Sequence, residues 1–388
     1  MTQTPSAAAP ATSAESAPKK PVYDLTELLT LMIGRGASDL HLTVGTSPQI
    51  RIDGDLVALE YPRLSPDDTK ELAYGVLTET QRAEFEKQSE LDLSFGIKGL
   101  SRFRANVYKQ RDCVALALRA IPFEIRTFEK LGLPPVVEEL ADRPNGLCLV
   151  TGATGSGKST TMAAMIDKIN KEKPLHILTI EDPIEFIHQH RKSIVNQRQI
   201  HSDTVSFQRA LKSVLRQDPD VVLIGEMRDK ETIEIALTVA ETGHLVFGTL
   251  HTNSAAQTIN RIIDVFPPDQ QDQVRTQLAL VLQGVICQQL LPKIGGGRVM
   301  CCEIMVANSA IRAAIREGKV HQMDSMIQVG GKFGMMTMNQ SLLRALQAGT
   351  VTREEAISRS NDPIDLESMI KRQMGAAAMS SNYGENEN

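Results

Sequence analysis

The chain has 388 residues, of which 41% are hydrophobic and 23% charged, and a formal net charge of −5. That length allows two domains, and the acidic balance gives no general reason to expect a nucleic-acid partner. No run of about 18 uninterrupted apolar residues occurs, so no transmembrane helix is expected.

Residues 1–21 are rich in Ala, Ser and Pro and read as a disordered tail. They hold no apolar core of signal-peptide type, so a cytoplasmic location is expected. Residues 24–33 have helical spacing, with Leu25, Leu28, Leu29 and Met32 on one face, and Gly34 and Gly36 end the helix. Residues 39–43 and 49–52 read as short strands, the second turning at Asp53-Gly54. Two helical stretches follow, the first capped by Ser65 and the second at 79–88. Strand-like runs come next at 91–95, 101–108 and 113–120. Residues 22–121 thus form a small α+β domain, and 122–139 read as a linker.

From residue 140 short apolar runs alternate with helical stretches, which is the pattern of a parallel sheet. The runs are 147–150, 177–180, 221–224 and 245–250; the helices between them include 159–170, 207–215 and 231–241. Beyond Ser254 the chain reads as helical to residue 372, apart from a strand at 299–304, and 373–388 read as a second disordered tail. The five cysteines, Cys113, Cys148, Cys287, Cys301 and Cys302, form no C-x-x-C pair, so they suggest buried apolar positions and no zinc site.

Residues 152–159, GATGSGKS, fit G-x-x-x-x-G-K-[ST] between a predicted strand and a predicted helix. Backbone N–H groups must converge on a triphosphate there, which requires Gly155 and Gly157 to lack side chains, in a loop that Gly152 opens. Thr154 and Ser156 complete the loop, and the helix N-terminus adds its positive end. Lys158 reaches the β- and γ-phosphates, Ser159 offers a hydroxyl to Mg²⁺, and Thr160 lies near the α-phosphate. ATP or ADP with Mg²⁺ is therefore the expected ligand set.

Hydrolysis also needs a group that orients water and groups that stabilise the transferring phosphoryl. Val221-Val222-Leu223-Ile224-Gly225-Glu226 is an apolar strand ending in a carboxylate, and Glu226 is the candidate to polarise the attacking water. Residues 177–185, ILTIEDPIE, cluster acids where a second strand ends. Glu181 or Glu185 could hold the Mg²⁺ water shell or the attacking water. His244 and His251 flank the apolar strand 245–250. His251 leaves it on the nucleotide side, where an imidazole could read the γ-phosphate or organise the Glu226 water.

Taken together and in this order, the phosphate loop, TIEDPIE, LIGEMRD and TGHLVFGTLHTNSA resemble the secretion ATPase superfamily, and are most similar to its pilus-retraction branch. The early DLHL at 39–42 and the late KFGMMTMNQSL at 332–342 also resemble that branch. The resemblance implies a PAS-like N-terminal domain, a RecA-like ATPase domain over 140–372 with a helical C-terminal region, and a homohexameric ring. It implies a PilC-like inner-membrane platform protein as partner, contact with other pilus ATPases, and a place at the pilus base on the inner membrane. Arginines of the N-terminal domain would reach the γ-phosphate; of Arg102, Arg104, Arg111 and Arg119, Arg104 and Arg119 fit best. Residues 310–317, AIRAAIRE, depart from the branch's AIRNLIRE at Ala313 and Ala314, which implies a retained helix with weaker coupling to retraction. An accessory or assembly ATPase of the same superfamily is the alternative reading. A nucleic-acid translocase would need a basic–aromatic stripe that the sequence lacks, and a non-catalytic scaffold would not need Lys158 and Glu226.

Overall fold

A computed structural model describes residues 23–52, 54–121 and 124–384. The chain divides into two compact units, with the boundary between Pro122 and Phe123. The predicted 1–21 tail lies outside the described residues. Both units are mixed α/β.

The first unit carries β1 (Asp39–Leu42), β2 (Gln49–Ile52), β3 (Asp55–Ala58), β4 (Glu90–Ile97), β5 (Ser101–Gln110) and β6 (Cys113–Ile121). They form an antiparallel sheet in the order β3-β2-β1-β6-β5-β4. The side chains of β5 alternate as a half-buried strand requires: Phe103, Ala105 and Val107 are buried, while Arg102, Arg104 and Asn106 point the other way. The core face packs on the helices Leu25–Gly34 and Pro66–Gly75, which contribute Leu28, Leu29, Met32 and Leu72. Ser65 caps the second helix in a capping box closed by Asp68.

On the opposite face the register lines up Arg51, Asp39, Arg119, Arg104 and Ser94 across five strands. Asp39 is buried, accepting from Arg119 Nε at 2.7 Å and from Ser38 Oγ at 2.7 Å. Burial alone would raise its carboxyl; the bonds from Ser38 and Arg119 outweigh that and hold it below the usual range.

The second unit carries β7 (Gly146–Thr151), β8 (His176–Glu181), β9 (Ile194–Gln199), β10 (Val221–Ile224), β11 (Leu245–Leu250), β12 (Leu282–Pro292) and β13 (Arg298–Val306). The order is β13-β12-β7-β11-β10-β8-β9, parallel throughout except for antiparallel β13. Every residue of β7, β10 and β11 is buried, which matches the continuous apolar runs of a sheet covered on both faces.

Several segments differ from the sequence expectation, among them β3 and β9, which no expected strand covers. Residues 122–139 are not a bare linker: the helices Phe128–Leu131 and Pro135–Ala141 form there, and Val136, Val137 and Leu140 enter the second core. The stretch read as helical beyond Ser254 contains β12. Its apolar run continues directly from the helix Pro268–Val281, and period alone does not separate a buried strand from a buried helix. The segment 373–388 read as a tail is helical as far as Gly384, continuing the helix that begins at Pro363.

Candidate functional site

Parallel register brings the C-terminal ends of β7, β8, β10 and β11 to one edge of the second sheet. Thr151, Glu181, Glu226 and His251 therefore leave the sheet on the same side, where ligands bind to open parallel sheets. The loop 152–157 spans from β7 to the helix Lys158–Glu172.

The loop is shaped by its glycines. Gly152 has φ +136°, and a Cβ there would stand 2.4 Å from the Gln288 carbonyl oxygen and 2.7 Å from Ser156 Oγ. Gly157, at φ +93°, occupies the N-cap of the helix. Ser156 is buried and its Oγ has no hydrogen-bond partner among the described residues. A buried hydroxyl left unbonded at the mouth of a glycine loop fits an incoming phosphate oxygen. Lys158 Nζ folds back to donate to the carbonyls of Gly152 at 2.7 Å and Ala153 at 3.1 Å. Burial pushes its ammonium below the usual lysine value, while Glu226 pulls the other way. Gly152→Ala is expected to strain the backbone by about 1–3 kcal/mol and displace the loop. Nucleotide titration should show at least tenfold weaker binding, a 1.4 kcal/mol effect at the same scale.

Glu226 sits where β10 ends. Gly225 permits this: its Cβ would lie 3.1 Å from both Glu181 Cα and the Ile180 carbonyl oxygen. Thr249 Oγ1 donates to the Gly225 carbonyl at 2.5 Å and Met227 N–H to the Thr249 carbonyl at 3.0 Å, lacing the exit of β10 to β11. That lacing puts His251 Nε2 at 2.8 Å from Glu226 Oε1. Arg228 Nε bonds the same oxygen, which raises the guanidinium pKa. Arg228 lies inside the LIGEMRD segment, where the strand end points to Glu226 alone; its spacing two residues after that glutamate is the signal that marks it.

Glu181 is held by Thr179 Oγ1 at 2.6 Å, Gln197 Nε2 at 3.2 Å and the Glu185 N–H at 3.5 Å. Burial raises its carboxyl above the usual range despite these bonds. Glu185 is exposed one turn beyond. Ser159 and Thr160 lie on the first turn of the loop helix. Hydroxyl and carboxylate oxygens are the donor types that Mg²⁺ takes, so this set fits that ion together with a bound triphosphate.

His244 is not brought to this edge. It precedes the six-residue strand β11 at the other end, roughly 20 Å away at the usual rise per residue. Its Nδ1 meets the Val239 carbonyl at 3.0 Å and Thr242 Oγ1 at 3.1 Å, closing the C-terminus of the helix Lys230–Glu241. Arg104 and Arg119 belong to the sheet of the first unit.

Residues 13–296 match the family model for the type II/IV secretion system protein. The type IV pilus retractation ATPase PilT of Pseudomonas aeruginosa is 51% identical over 340 residues, 88% of this chain and 99% of that protein. The type IV pilus ATPase PilU of the same organism is 41% identical over 349 residues, 90% of this chain and 91% of that one. A crystal structure of the pilus retraction motor PilT with bound ADP superposes with a TM-score of 0.85 at 54% identity, covering 89% of this chain and 99% of that one. The phosphate loop, the acidic strand ends and these likenesses lead to one assignment: the chain belongs to the type II/IV secretion system protein family.

Proposed function

We propose that the chain is a ring-forming ATPase motor that couples ATP hydrolysis to type IV pilus retraction, and so to twitching motility. The observation that carries this is the edge on which Ser156, Lys158, Glu226 and His251 converge, in a chain half identical to PilT along nearly all of that protein's length. The higher identity to PilT than to PilU favours the retraction reading over the accessory one.

In this reading Gly152, Thr154, Gly155, Ser156 and Gly157 present backbone N–H groups and a hydroxyl to the phosphates. Lys158 exchanges its two loop carbonyls for phosphate oxygens, and Thr160 lies toward the α-phosphate. Mg²⁺, held by Ser159 and through water by Glu181, Glu185 or Glu226, would neutralise charge on the phosphates. Glu226 orients the attacking water, with His251 fixing the carboxylate. Arg104 and Arg119 are read as γ-phosphate contacts supplied within a homohexamer; Asp39 would then set the direction of Arg119. The antiparallel sheet of the first unit, with helices on one face, supports a PAS-like domain, and the parallel sheet with its phosphate loop supports a RecA-like one. No helix among the described residues is long and apolar enough to cross a membrane. The reading places the ring in the cytoplasm at the pilus base, against a PilC-like platform protein and beside other pilus ATPases.

The departure at Ala313 and Ala314 leaves the helix intact over Ser309–Arg316, with Ile311, Ala314 and Ile315 buried. Expression of this chain in a strain lacking its retraction ATPase is expected to restore twitching zones and shorten surface pili. Restored pilus assembly in a non-piliated assembly mutant, without retraction, would replace this reading with the assembly one.

A further inference from the structure

Two helices begin at one buried carboxylate. Glu303 on β13 is 5% exposed, and none of its partners among the described residues is a cation. Its Oε1 accepts the Ala255 N–H at 2.7 Å, and its carboxylate also faces the Met338 N–H, which draws its pKa down. Ala255 opens the helix Ala255–Asp264 and Met338 opens the helix Met338–Gln347. First-turn N–H groups have no partner inside their own helix, and helix N-termini carry partial positive charge. Each helix already has a side-chain cap, Ser254 on the Gln257 N–H and Thr337 on the Gln340 N–H. Glu303 therefore satisfies a donor of the first helix that Ser254 leaves free and faces the start of the second, and the two helix ends stand in for the missing cation. Burial still leaves its carboxyl above the usual range.

A line of buried polar contacts runs beside it. Thr151, the last residue before the phosphate loop, donates to Cys287 Sγ at 3.0 Å. Cys287 stands directly opposite Glu303 across the β12–β13 ladder, and Thr258 lies close enough to draw down its thiol pKa. Thr258 Oγ1 meets Thr252 Oγ1 at 2.7 Å, and Thr252 follows His251. Thr151, Cys287 and Thr258 are fully buried.

We propose that Glu303 is a positioning residue for ATP hydrolysis: by holding the start of the helix Ala255–Asp264 it fixes the turn at 251–254, and through it the His251 imidazole against Glu226. This rests on the reading of Glu226 and His251 given above. It adds that the C-terminal helix Met338–Gln347 and the His251 turn are held by the same carboxylate, so a shift of that helix reaches the hydrolytic edge through one side chain.

Glu303→Gln keeps the shape but replaces one acceptor oxygen with a donor that faces an N–H. The expected result is a roughly tenfold lower kcat with KM for Mg-ATP within about twofold, because the phosphate loop is untouched. The diagnostic is a double-mutant cycle with His251→Ala. If Glu303 acts through His251, Glu303→Gln causes no further loss in the His251→Ala background. A merely structural carboxylate would lower thermal stability while leaving kcat per folded molecule unchanged, or would give additive losses, and either result overturns the proposal. His251→Ala leaving kcat unchanged would instead overturn the reading of the site itself. Should Glu303→Gln not fold, Glu303→Asp keeps the charge but shortens the reach to the Ala255 N–H, and is expected to lower kcat about threefold with the same non-additivity; unchanged kcat or additive losses there overturn the proposal equally.

Discussion

Lys158→Ala is expected to abolish measurable ATP turnover, with kcat/KM falling about 100- to 1000-fold, the range for losing one preorganised donor to developing charge. The ammonium is half-buried and makes its two bonds to neutral loop carbonyls. A triphosphate offers charge-assisted bonds instead, which are about twice as strong, and burial, which lowers the ammonium pKa, makes that exchange more favourable still. Removing the side chain leaves the glycine loop intact but takes away its only lysine. Both nucleotide binding and hydrolysis should therefore fall together. Thermal melting should move little, because the lost partners are carbonyls at an open loop that water can reach. Titration with a fluorescent ATP analogue alongside steady-state turnover checks the pair of outcomes. Turnover within threefold of the parent would remove the loop lysine from the chemistry.

The loop 152–159 was legible because a phosphate site imposes residue identity at fixed spacing, and the structure adds what spacing cannot: the unbonded Ser156 hydroxyl and the Gln288 carbonyl against Gly152. Glu226 and His251 were legible as strand ends, since a buried parallel strand is an uninterrupted apolar run and its C-terminal exit faces the ligand edge. His244 flanks the same strand and looks equivalent in sequence, but strand direction sends it to the far edge. Glu303 and Cys287 were not legible as parts of a site. Their meaning depends on β12 pairing with β13 and with β7, and the second of these ladders joins residues far apart in the chain. A lone glutamate within an apolar strand carries no local sign that two helices start at it. The helices Phe128–Leu131 and Pro135–Ala141 were hidden for another reason. Short helices have weak intrinsic signals; the second is held by burial of Val136, Val137 and Leu140, and the first by Phe128 and Leu131 packing partly buried on the same core.

Glu226→Gln should separate the two halves of the site that Lys158→Ala removes together. The expected result is a 10²- to 10⁴-fold loss of kcat, the usual contribution of a positioned acid–base group, with ATP affinity within about threefold of the parent. Glutamine keeps the volume and one acceptor, so the bond from His251 Nε2 to the 226 side chain at 2.8 Å survives in form. What it loses is the negative charge and the basic oxygen that could take a proton from water. Losing the charge also frees Lys158 from a competing carboxylate, so phosphate binding gains rather than suffers. Arg228, held by Glu226 in the parent, loses its ionic partner, and that exposed guanidinium returns to solvent at little cost. The variant should load ATP and stall. Single-turnover hydrolysis of pre-bound ATP, compared with equilibrium binding, measures the split directly. If single-turnover rates stay within threefold of the parent, Glu226 does not orient the water. The role then passes to Glu181 or Glu185, of which Glu181, already held by Thr179 and Gln197, has the better-fixed carboxylate.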